Sequence, residues 1–183
     1  MALRVTIMAL CILISGCTGT VATTSLPNVD NLAYHLSPGD RLRLEVFRED
    51  VLSGEYAIDD QGVITLPLAG EVRAGGKTLA QLRQDLQSLL GQEYVRDARI
   101  SLEVAGYRPI YILGEVQRPG EYPYVEGMSV HGLVAKAGGF TYRANEHVVY
   151  VRHGRELDEK AYRLTSGAAV LPGDTVRVGE RYF

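Results

Sequence analysis

The 183-residue sequence has no tryptophan, only three phenylalanines, and two cysteines, Cys11 and Cys17. Both cysteines lie within or just beyond the chain's one long apolar run, Val5 to Ile14, so the rest of the chain offers neither a disulfide framework nor a thiolate. The four histidines, His35, His131, His147 and His153, show no paired spacing of the His-Glu-x-x-His kind, and neither a metal nor another cofactor is expected. A Gly-x-Ser-x-Gly elbow for a serine nucleophile is absent. Asp59-Asp60 comes nearest to the carboxylate pair of sugar hydrolysis, but adjacent residues in a turn or strand point apart and do not flank one bond. The chain is therefore not expected to be an enzyme. Its 19 basic residues against 22 acidic form no basic patch, which argues against a nucleic acid partner.

The N-terminal run itself is informative. One early charge, Arg4, precedes ten residues that are too few to cross a bilayer core, which takes about 20. Residues 1–16 thus read as a secretory signal. Leu13-Ile14-Ser15-Gly16-Cys17 resembles the lipobox of bacterial lipoproteins, which implies that Cys17 is acylated and becomes the new N-terminus. By the same resemblance, Thr18 in place of an aspartate implies sorting to the outer membrane, with the acyl chains holding the protein on its periplasmic face. Loss of Arg4 leaves 18 basic against 22 acidic residues, a net charge of −4. Residues 17–31, small and polar with Pro27, read as a tether.

The body opens with Pro38-Gly39 as a turn and Leu42, Leu44 and Val46 alternating with Arg41, Arg43 and Glu45, a half-buried strand. Tyr56 to Ile58 and Val63 to Leu68, separated by Asp59-Asp60-Gln61-Gly62, predict a hairpin. Thr78 and Gln81 have the spacing of a capping box, and Leu79, Leu82, Leu86 and Leu89 or Leu90 follow at helical intervals, with Gly91 at the expected C-terminal cap. Gly75-Gly76-Lys77-Thr78 imitates the end of a phosphate-binding loop, but the glycine required five positions before Gly76 is Glu71, whose charge would repel a phosphate. Ile100, Leu102 and Val104 complete this unit as a strand.

A second unit follows, with Ile110 to Val116 as a buried strand and Gln117-Arg118-Pro119-Gly120 as a turn. Tyr122 and Tyr124 share one face, Ser129 caps a short helix carrying Val130, Leu133, Val134 and Ala137, and Gly138-Gly139 stops it. Glu146 to Arg152 and the segment after Pro172 supply further strands. A strand pair, a helix and returning strands suggest a β-grasp arrangement. The two ends of the body share an apolar residue, Pro-Gly-Asp and an alternating strand with Arg43 or Arg177 at the same offset, which is too little to establish a repeat.

The order of PGD-strand, IDDQGVITLPLAGEVRAGGKTLAQL, ISLEV and YILGEVQRPGEYPYVEGMSVHGLVAKAGGF resembles the outer-membrane polysaccharide export family, the Wza-like proteins, over nearly the whole mature chain. The resemblance implies an α+β chain with a polysaccharide-export domain at 32–106 and an SLBB, or soluble-ligand-binding β-grasp, domain at 107–183. The ending PGDTVRVGERYF is similar to that of the family's short members; larger ones add a second SLBB domain and a pore-forming helix, so autonomous pore formation is not expected. The implied function is a lipid-anchored, homo-oligomeric periplasmic ring conducting a capsular or exopolysaccharide chain outward. Its implied inner-membrane partner is a polysaccharide co-polymerase, and because no segment after Cys17 is long and apolar enough to span a membrane as a helix, docking with a separate outer-membrane pore protein is a further expectation. A ligand- or glycan-binding lipoprotein that uses the SLBB unit without forming a conduit remains the alternative. Tyr122 and Tyr124 are the candidate glycan contacts, and Arg118 and Arg143, on loops beside strand ends, are the candidate interface residues.

Overall fold

The computed structural model describes residues 24–29, 33–94 and 99–181. The signal segment 1–16, Cys17 and the first part of the tether lie outside them. The elements, in chain order, are β1 (Thr24–Ser25), β2 (Arg41–Val46), β3 (Gly54–Ala57), β4 (Val63–Leu66), β5 (Gly70–Arg73), α1 (Leu79–Glu93), β6 (Ile100–Gly106), β7 (Ile110–Gly114), β8 (Gly120–Tyr122), α2 (Val130–Lys136), β9 (Ala144–Arg152), β10 (Lys160–Arg163) and β11 (Thr175–Glu180). This is an α+β architecture with two hydrophobic cores.

The first core lies under an antiparallel sheet ordered β3-β2-β6 and a separate β4-β5 pair. Strand β2 buries Leu42, Leu44 and Val46 and exposes the charged residues between them, as period-2 alternation requires. Helix α1 begins with the reciprocal cap: the Thr78 amide donates to Gln81 Oε1 at 2.9 Å, and the Gln81 amide donates to Thr78 Oγ1 at 3.3 Å. Leu82, Leu86 and Leu90 are fully buried, each contributing roughly 1.5–3 kcal/mol. The helix runs past Gly91 to Glu93, so the expected glycine cap is instead an interior residue.

The expected hairpin is also corrected. Strands β3 and β4 flank Asp59 to Gly62 but join different sheets, β3 pairing with β2 and β4 with β5. Asp59 Oδ1 accepts from both the Gln61 and Val63 amides, at 2.9 and 2.8 Å, and this turn passes the chain from one sheet to the next. The hairpin lies one strand later, across Pro67-Leu68-Ala69, with Leu68 in the left-handed region.

The second core is covered by a six-stranded sheet ordered β1-β10-β9-β11-β7-β8, with α2 contributing Val130, Leu133 and Val134 against Ile110, Ile112, Val149, Val151, Val176 and Val178. Ser129 caps α2 by accepting from the Gly132 amide. Strand β7 stops at Gly114, two residues short of the expected Val116.

Residues 24–29 of the segment read as a tether instead pack on the second unit. Thr24 and Ser25 pair in parallel with Tyr162 and Arg163, and Leu26 is buried in the second core. The first unit is consequently enclosed in sequence by pieces of the second sheet, β1 before it and β7 after it. Among the described residues no helix is long and apolar enough to cross a membrane.

Candidate functional site at the seam between the two units

The two Pro-Gly-Asp turns have the same construction. Asp40 Oδ2 accepts from the Ser37 amide at 2.9 Å, and Asp174 Oδ2 accepts from the Leu171 amide at 2.8 Å. In both, the intervening glycine is left-handed, Gly39 at φ 95° and Gly173 at φ 86°. The two aspartates, 0% and 1% exposed, are the buried charged residues of the described chain. Burying a carboxylate is costly unless charge and hydrogen bonds meet it, and each turn supplies a hydrogen bond from its own backbone.

Arg108, on the link between the units, meets the two turns at once. Its Nε donates to Asp40 Oδ1 at 3.3 Å. Its stem lies against Gly39 and its guanidinium against Gly173, where a Cβ would fall 2.7 Å from Nη1. Asp40 also accepts from the Tyr34 hydroxyl, whose pKa burial pushes up, with the aspartate adding to the rise. The free oxygen of Asp174 takes His153 Nδ1 at 3.0 Å, and this bond raises the imidazole's pKa against the opposing effect of burial. Both buried acids are committed to turn amides and to a basic side chain, an arrangement suited to holding two units in register.

Around this clamp lie two hollows. One, of ≈360 Å³, is walled by His35, Arg108, His153 and Arg155 together with the two turns. The other, of ≈210 Å³, is lined by Tyr34, Tyr107, Tyr124 and Glu126. Tyr34 borders both. The tyrosines meet edge to face, Tyr34 with Tyr107 at 5.3 Å and Tyr107 with Tyr124 at 5.1 Å between ring centroids. Arg155 pairs with Asp60 of the first unit at 2.8 Å.

The structure separates the residues singled out from sequence. Tyr124 lines the aromatic hollow, whereas Tyr122 directs its hydroxyl to the Arg118 carbonyl at 2.7 Å. Arg118 donates to the Lys136 carbonyl at 3.0 Å, closing the C-terminus of α2. Arg143 is exposed and pairs with Glu180 at 2.9 Å. Lys77 pairs with Asp85 of α1. Cys17 lies outside the described residues. Among those residues, no three metal-ligating side chains converge. Arg108, Tyr34 and Tyr107 carry no signal in the sequence and His153 is weighed there only as a metal ligand, although the shared Pro-Gly-Asp pattern points to the turns that Arg108 and His153 meet.

The profile described as polysaccharide biosynthesis/export protein matches residues 28–105, and the SLBB domain profile matches residues 109–165. The chain belongs to the polysaccharide export family. The two matches meet at the link that carries Arg108, so the clamp sits where the family's two modules join. Among curated relatives, the exopolysaccharide production protein ExoF of Rhizobium meliloti is 36% identical over 121 residues, 58% of this chain and 28% of that protein. The polysialic acid transport protein KpsD of Escherichia coli is 27% identical over 89% of this chain and 31% of its own length. The EPS I polysaccharide export outer membrane protein EpsA of Ralstonia solanacearum is 28% identical over 69% of this chain and 36% of its own. The chain therefore spans about a third of the length of these relatives.

Proposed function

We propose that this protein is an outer-membrane lipoprotein of a capsular or exopolysaccharide export apparatus, assembling as a periplasmic ring through which the polymer leaves. The ordered match to an export module followed by an SLBB module carries the reading. It is supported by relatives named for polysaccharide production, transport and outer-membrane export. The lipobox ending at Cys17 supplies the anchor, and an inner-membrane polysaccharide co-polymerase and a separate outer-membrane pore protein are the expected partners. A seam whose buried acids are fixed by Arg108 and His153 suits a stiff wall segment, since repeated head-to-tail contacts close into a ring only if each copy holds one shape.

Deleting the gene tests this reading. Surface polysaccharide should fall while polymer accumulates inside the cell, and the wild-type gene should restore export. Unchanged surface polysaccharide in the deletion strain would overturn it.

A further inference from the structure

The basic hollow at the seam stands out on a chain whose formal net charge is −3. Its lining holds two guanidiniums and two imidazoles against one carboxylate, Asp174. That carboxylate is 1% exposed and occupied by the Leu171 amide and the His153 ring. Asp40, which balances Arg108, is completely buried. Asp40 and Asp174 thus lie behind the surface, while the two guanidiniums and two imidazoles line it. Arg155 is available to a ligand, because it is 69% and its partner Asp60 93% exposed, and such a pair contributes little to stability.

Across Tyr34 lies the second hollow, where Tyr107 and Tyr124 present partly exposed rings beside Glu126. An aromatic wall with a few polar groups at its edge suits a sugar, whose apolar ring face packs on tyrosine while its hydroxyls find acceptors. A guanidinium near by is the preferred partner of a carboxylate.

We propose that the seam binds a carboxylate-bearing stretch of glycan, with a sugar ring against Tyr107 and Tyr124 and an acidic substituent at Arg155 and His35. This rests on the export reading for the source of the glycan, and it names that glycan as acidic. The two hollows share Tyr34 as their border, so neighbouring sugars of one chain occupy them together.

Calorimetry on the full chain in detergent tests the site, using a short oligogalacturonate and a neutral maltooligosaccharide of equal length. The acidic oligomer is expected to bind at least roughly tenfold more tightly, the worth of one charge-assisted hydrogen bond. Arg155→Gln should remove about that factor for the acidic oligomer alone, and Tyr107→Leu should weaken both ligands. Arg83→Gln, at an exposed position on α1, should change nothing. Equal affinity for the two oligomers, wild-type affinity in Arg155→Gln, or an equal loss in Arg83→Gln would each overturn the proposal. The two readings fail separately: export that depends on the gene while the seam variants bind normally removes the site alone. Conversely, binding in a strain that exports without the gene removes only the export role.

Discussion

Arg108 and Asp40 stand 68 positions apart, yet Arg108 Nε lies 3.3 Å from Asp40 Oδ1, and the same guanidinium covers Gly173 of the second Pro-Gly-Asp turn. One side chain thus joins a buried acid of the first unit to the backbone of the second. Arg108→Ala leaves Asp40 with the Tyr34 hydroxyl and the Ser37 amide but no countercharge. The expected loss is about 1–3 kcal/mol. Urea unfolding of the variant should resolve two transitions where the wild type shows one; a single transition at the wild-type midpoint would dismiss the clamp.

His153 gives the seam a pH dependence of predictable sign. The hydrogen bond to Asp174 raises the imidazole's pKa, with Glu156 adding to the rise and Lys160 opposing it. Stability from this bond is fully present below the unfolded pKa of about 6.5 and is lost as pH rises through the higher folded value. His153→Gln should therefore lower the melting temperature most near pH 5.5, with the gap to wild type narrowing towards about pH 9. A gap that widens with pH contradicts this assignment.

Arg118 and Arg143 now predict different outcomes. Arg118→Glu places a carboxylate against the last carbonyls of α2, where the helix dipole also disfavours it, and should cost about 1–2 kcal/mol. Arg143→Glu replaces an exposed pair with Glu180 by two exposed, solvent-screened carboxylates and should stay within about 1 kcal/mol of wild type. If the Thr141 to Asn145 loop lies in a subunit contact, Arg143→Glu weakens assembly at unchanged melting temperature. Assembly unchanged in this variant would exclude Arg143 from the interface.

The lipid anchor is tested by Cys17→Ser. Without an acceptor thiol the precursor should remain uncleaved, and the outer-membrane fraction should lose the protein. Normal processing and normal fractionation of the variant would refute the anchor.

Local chemistry was the legible part of this chain. The Thr78–Gln81 box and the alternation of Leu42, Leu44 and Val46 need no distant partner, and the helix and strand they specify both form. Asp59 misled because its side chain, which can close a hairpin, here turns the chain into another sheet. Gly91 misled because the Tyr94 amide still donates to the Leu90 carbonyl, so the helical turn continues through the glycine. Strand β1 has two residues and no period of its own; it exists because β10 offers an edge and Leu26 enters the second core. The seam was least legible, since Arg108 acquires its role only when turns from opposite ends of the body meet around it.

The native mass of the acylated chain, extracted in mild detergent from exporting cells, tests the conduit most directly. The account predicts a particle of several copies, a whole multiple of the single-chain mass above a dimer, as a closed head-to-tail ring requires. A single-chain mass in cells whose polysaccharide export is normal would contradict it.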